Sequence, residues 1–141
     1  MKIILPGLPP SKKNGRIIIH RKSDGRHFDI PSNEYQKWEK SMGMLIRQQW
    51  GERPTIDHGI ILKIIFHVTD KRSWDLSNKE ESLQDLLKVC RVISDDNRFI
   101  IQEKYSTWKM ADSEFVEIQL EKTALFSNNN LFNTPGLFEK V

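Results

Sequence analysis

Asp75, Asp95 and Asp96 stand at the two ends of one helix-forming stretch, and Asp95 and Asp96 are neighbours in the turn that follows it. Carboxylates grouped without His or a Cys pair are hard oxygen ligands, suited to Mg²⁺ or Mn²⁺ and not to zinc. An ion of that kind beside a phosphodiester polarises the phosphate, supplies hydroxide near neutral pH and neutralises the leaving oxygen. The chemistry indicated is metal-assisted phosphodiester hydrolysis. An acidic pair in a loop is commonly just solvated. Here the basic context points to a polyanion: Lys71 and Arg72 precede Asp75, and Lys104, Lys109, Lys12 and Lys13 are available to hold a phosphate backbone.

Those residues have to be positioned by the elements around them. Lys2 to Leu5 reads as a first strand, stopped by Pro6, Gly7, Pro9 and Pro10. Ile17–His20 and His27–Ile30 flank a Ser-Asp-Gly turn and predict a hairpin. After Pro31, Ser32 and Asn33, the residues Tyr35, Trp38, Met42, Leu45 and Ile46 recur at helical spacing, predicting a helix to about Trp50. From Gly59 to Val68 the run GIILKIIFHV is apolar on both faces, the mark of a central strand. Ser77 with Glu80 forms a capping box that predicts a helix over 78–91, with Leu83, Leu86, Leu87 and Cys90 as its core stripe. Phe99 to Met110 and Phe115 to Leu120 read as two further strands. The order β, hairpin, α, β, α, β, β implies an α/β (α+β) domain with a mixed sheet of about four to six strands and two main helices.

Size and composition set outer limits. A chain of 141 residues with 38% hydrophobic and 29% charged residues suits one globular domain. Its longest apolar stretches fall far short of the roughly 18 residues a spanning helix needs, and the start lacks the apolar region of a secretory signal, so a cytoplasmic protein is expected. The lone Cys90 cannot form an internal disulfide and reads as a small buried side chain. The net charge of +3 says little by itself. Its distribution says more: Lys2, Lys12, Lys13, Arg16, Arg21 and Lys22 all precede the first acid, Asp24, making a local cationic surface. Either a nucleic-acid contact or a solvated arm accounts for that segment. Residues 123–141 change character, with three Leu-Phe pairs and no apolar period, and read as a loosely ordered tail that either docks on a partner or packs back onto the domain.

Asp75, Leu76, Asn78, Asp85, Leu87, Asp95 and Asp96 resemble the D-L-D-N, D-x-L and D-D signature of the RusA family of Holliday-junction resolvases, and the separation from Asp75 to Asp96 matches without a gap. Asp70 with its basic followers, and Leu5, Pro6, Pro9, Pro10, Ser11 and Asn14, also resemble that family, so the likeness covers nearly all of residues 1–122. It implies a RusA-like two-layer nuclease domain that acts as a homodimer, binds branched DNA such as a four-way junction and makes paired nicks with Mg²⁺, Mn²⁺ being a possible substitute. It also implies acidic residues and a lysine in the active site. Asn14, Arg16 and Asn78 join Lys12, Lys13, Lys71, Arg72, Lys104 and Lys109 as expected DNA contacts.

Two positions depart from the family pattern. Ser77 stands where members carry Asp, and Glu81 where they carry the catalytic Lys. Lys79 and Glu81 restore the same charges nearby, and Glu81 shares a helical face with Asn78 and Asp85. The expected catalytic set is Asp75, Asp96, Lys79 and Glu81, and the expected metal set is Asp75, Asp95, Asp96 and Glu81. A solvated helix face is the alternative for Glu81 and Asp85, and Ser77 is expected to cap the helix. If the departures abolish cutting, the alternative function is a branched-DNA-binding accessory protein.

Overall fold

The run from Ile60 to Val68 must bury alternate side chains on one side of a sheet while Ile61 and Ile65 seek cover on the other. In the computed structural model, which describes residues 1–10, 17–20, 27–30, 32–70 and 76–123, that strand lies inside a four-stranded mixed sheet. The elements in chain order are β1 (Lys2–Pro6), β2 (Ile17–His20), β3 (His27–Ile30), α1 (Asn33–Trp50), β4 (Ile60–Val68), α2 (Leu76–Val89), β5 (Ile101–Met110) and β6 (Phe115–Lys122). The sheet order is β1-β6-β4-β5, with β4 parallel to β5 and antiparallel to β6, and β1 antiparallel to β6. β2 and β3 pair as the expected hairpin in a sheet of their own. The α/β class, the mixed sheet and the two helices agree with the sequence pattern. The tail from residue 124 onward lies outside the described residues.

Burial explains the order. Ile60, Leu62, Ile64, Phe66 and Val68 of β4 are all buried, as are Ile3 and Leu5 of β1 and Val116, Ile118 and Leu120 of β6. Leu83, Leu86 and Leu87 of α2, and Cys90 just past its end, close the same core with Ile46 and Trp50 of α1, as the helical stripe predicts. Removing a side chain such as Phe66 from water stabilises the fold by about 1.5–3 kcal/mol. Because β4 and β5 run parallel, the chain has to cross over between them, and α2 is that crossover.

Each helix end has a definable cause. Ser32 caps α1 by accepting from Tyr35 N at 3.2 Å. The Arg53 guanidinium donates to the carbonyls of Gln49 and Trp50 at 3.1 and 2.8 Å, at the end of α1 where acceptors are left over.

The ends of α2 and β5 correct three sequence expectations. Helix α2 begins at Leu76, so Ser77 lies within it and is not its N-cap. Anchoring outweighs the local capping pattern: Lys79 Nζ donates to Pro9 O at 2.8 Å and Ser82 Oγ to Pro10 O at 3.0 Å, tying the start of α2 to the chain leaving β1. The helix also stops at Val89, two residues before the expected end. Val92 N bonds to Leu87 O at 2.9 Å and Arg91 N to Lys88 O at 3.0 Å, with Arg91 at φ 59°, which is a Schellman stop. Strand β5 starts at Ile101, because Asn97 turns the residues before it: its side chain accepts from Phe99 N, and its carbonyl from Ile100 N and Ile101 N.

Arg91 occupies a backbone region that L-residues other than glycine and asparagine rarely adopt. Replacing Arg91 with Gly is expected to raise unfolding stability by roughly 0.5–1 kcal/mol in urea titrations, and Arg91→Val to lower it.

Candidate functional site

The stop after α2 decides where the acidic pair goes. Past Arg91 the chain is held by Ile56, whose N–H donates to Val92 O at 2.8 Å and whose carbonyl accepts from Ser94 N at 2.9 Å. Asp95 and Asp96 follow at once and are part-exposed. Asp95 Oδ1 accepts from the main-chain N–H of Asp96 at 2.8 Å, and Oδ2 accepts from Asn97 Nδ2 at 3.1 Å. Lys88 Nζ lies 3.5 Å from Asp96 Oδ1 and 4.0 Å from Asp95 Oδ1. The Asp96 N–H and side chain hold the Asp95 carboxyl below the usual carboxylate range, helped by Lys88 and Asn97. Two adjacent carboxylates, one of them stabilised in its charged form, are the donor type a hard cation takes.

Lys88 is the one member of this group that the sequence patterns missed. Its signal was available: a lysine in the last turn of a helix, where cations are favoured, one turn ahead of an acidic turn. Asn97, which braces Asp95 and shapes the entry to β5, was likewise read only as a turn residue.

The other expected site residues are distributed along α2. Residue 76 opens the helix and Lys88 lies in its last turn, so about 20 Å of helix separates the residue after Asp75 from the Asp95–Asp96 turn. Glu81 lies two turns before Lys88. Burial, and then the Glu39, Asp85 and Glu81 carboxylates, push the Tyr35 hydroxyl up to about 12. Lys79 is committed to the Pro9 carbonyl. Lys104 pairs with Glu80 at 3.3 Å, and Lys109 is exposed on β5. Asn78 is half-buried and its carbonyl accepts from Ser82 Oγ. Asp75, Lys71, Arg72, Lys12, Lys13, Asn14 and Arg16 lie outside the described residues. Among the described residues no three His, Cys, Asp or Glu converge in a way that could hold a metal ion. Among the same residues no helix is long and apolar enough to cross a membrane.

Comparison with known proteins adds no relative: no family model matches the chain, and no curated protein matches it.

The lowered Asp95 carboxyl has a direct pH consequence. A group whose folded value is depressed contributes stability above its unfolded value and loses that contribution as pH falls through the folded one. The stability difference between wild type and Asp95→Asn is therefore expected to be largest near neutrality and to shrink once the pH falls below about 4. Urea unfolding of both proteins at several pH values checks this, alongside an NMR titration of the Asp95 carboxyl.

Proposed function

We propose that the protein is a Mg²⁺-dependent endonuclease that acts on branched DNA by paired nicking, in the manner of the RusA-type resolvases its motifs resemble. The observation that carries this reading is the Asp95–Asp96 pair, with Asp95 favoured in its charged form and Lys88 alongside, set in the turn where the D-D part of the signature falls. Asp95 and Asp96, with Asp75, would hold the ion, which when bound supplies charge neutralisation and a nucleophilic water at a junction phosphate. Asp95 and Asp96 take their orientation from the Asp96 N–H, Asn97 and the Ile56 contacts. Lys88 keeps the pair from repelling itself before a cation arrives. The basic side chains Lys71, Arg72, Lys12, Lys13 and Arg16 would draw the phosphate backbone towards this acidic turn.

Paired nicks need two centres, which a symmetric dimer provides. Since residue 76 and the acidic turn lie at opposite ends of α2, a ligand set joining Asp75 to Asp95 and Asp96 is most simply completed between two copies.

A second reading draws on a specific observation. Lys79 donates to the Pro9 carbonyl and the Glu81 charge acts on the Tyr35 hydroxyl, so the two residues expected to replace the family's lysine and second aspartate both interact within the fold. That favours a branched-DNA-binding accessory protein in which cutting is weakened.

Nicking of a labelled four-way junction with Mg²⁺ separates the two. Wild type is expected to make symmetric nicks, and Asp75→Asn and Asp96→Asn to lose about 100-fold or more of that rate while still binding the junction. Loss of the same size in Glu81→Ala would put Glu81 in the metal set. Tight, salt-sensitive binding by wild type with no nicks under Mg²⁺ or Mn²⁺ would favour the accessory protein.

A further inference from the structure

The two edges of the sheet are treated differently. On β1, the main-chain N–H and C=O of Ile4 are both taken by the side-chain amide of Gln49, at 2.9 and 2.8 Å, so α1 closes that edge. β5 is the other edge, and no comparable cover is found among the described residues. From Glu103 to Met110 every side chain except Ser106 is exposed, including Tyr105, Trp108 and Met110. The strand has no Pro or Gly, and its only irregularity lies at its start, opposite Ile60 and Ile61. A long regular edge of this kind is a template for pairing with another strand.

Its unpaired groups can be named. Ala111 N donates to Val68 O at 2.8 Å, which fixes the alternation along the parallel pair. Tyr105, Thr107 and Lys109 therefore direct their main-chain groups to β4, and Lys104, Ser106, Trp108 and Met110 direct theirs outwards.

We infer that this edge pairs with a second copy of the chain, β5 against β5 in antiparallel register about a two-fold axis at Ser106, giving one sheet with four strands from each copy. An axis perpendicular to the sheet keeps the helices of both copies on one side, so residues that share a face must oppose each other and the axis has to pass through a residue position. Centring on Ser106 sets Glu103 opposite Lys109 of the second copy and Lys104 opposite Trp108, each twice by symmetry. The first is an ion pair; in the second Lys104, whose ammonium pairs with Glu80 of its own copy, lays its alkyl stem along Trp108. Centring on Tyr105 leaves Glu103 against Thr107 and Lys109 against Ile101, centring on Lys104 opposes two lysines, and centring on Thr107 sets Lys104 against Met110. Only the Ser106 register matches opposite charges. Main-chain bonds supply the adhesion, and the side-chain pairs select the register. The pairing deepens the dimer invoked above but requires neither metal nor DNA, so its failure and that of the nuclease reading are separable.

Sedimentation of the full chain without DNA or Mg²⁺ tests it. Wild type is expected to be a dimer, with Glu103→Lys and Lys109→Glu each weakening association roughly tenfold or more and the double variant recovering to within about threefold. Ser106→Pro removes an outward N–H that β4 does not use, and is expected to give a monomer with an unchanged circular dichroism spectrum. A mixture of Glu103→Cys and Lys109→Cys chains is expected to form disulfide-linked dimers that neither forms alone, because only the mixture brings the two thiols opposite each other. A wild type that stays monomeric at roughly 0.1 mM, a dimer indifferent to Ser106→Pro, or a double variant no better than the singles would overturn the inference.

Discussion

A strand that is apolar on both faces cannot stay at a sheet margin, and β4 organises the rest of the molecule because of that constraint. It has β6 on one side and β5 on the other, and α2 and α1 over the face that carries Leu62, Ile64 and Phe66. Its opposite face is covered less completely. There His67 stacks on Phe115 with ring centroids 3.9 Å apart and meets Glu117 at 3.0 Å, while Lys63 reaches Glu121 at 3.4 Å. Polar and aromatic partners across strands thus do on the open face what helices do on the closed one. The parallel pairing of β4 with β5 then requires a crossover, and with the crossover comes a helix whose two ends lie far apart.

That separation governs what the acidic residues can do together. Sequence spacing carries Glu81 and the Asp95–Asp96 pair along one short segment, whereas α2 puts about two turns between Glu81 and Lys88, which the pair adjoins. The stop at Arg91 and the short bridge between Ile56 and Ile93 hold the pair beside Lys88, away from Glu81 and Tyr35. At the other end, Lys79 and Ser82 fasten the helix to Pro9 and Pro10, so the strand-breaking prolines after β1 become anchors for α2. The local geometry is built from main-chain carbonyls and one left-handed residue, features with little trace in residue type.

The sheet margins follow the same division between covered and open surfaces. Gln49 satisfies the outer edge of β1 from within the chain, and its long amide side chain takes the place of a missing strand. β5 keeps its edge and carries alternating charge and aromatic residues along it, a pattern that tells its own registers apart. Such a margin combines solubility, through Glu103, Lys104 and Lys109, with a means of recognising one orientation of a matching strand.

Hydrophobic period and turn chemistry determined the elements from sequence alone. The two-sided apolar run of β4, the Leu83–Cys90 stripe, the opening of α1 after Pro31 and the hairpin were all legible, because each depends on neighbours close along the chain. The acidic turn at Asp95–Asp96 was legible as a candidate for the same reason. The ends of α2 were not: it starts earlier than its Ser77–Glu80 pattern suggests and ends earlier than its apolar stripe, since the Pro9 and Pro10 carbonyls and the Arg91 stop outweigh local propensity. Nor could sequence show that Lys88 serves the aspartates, that Lys104 is paired with Glu80, or that the Glu81 charge acts on Tyr35. A side chain's electrostatic partners depend on which turn of a helix meets which strand, and only packing around β4 decides that.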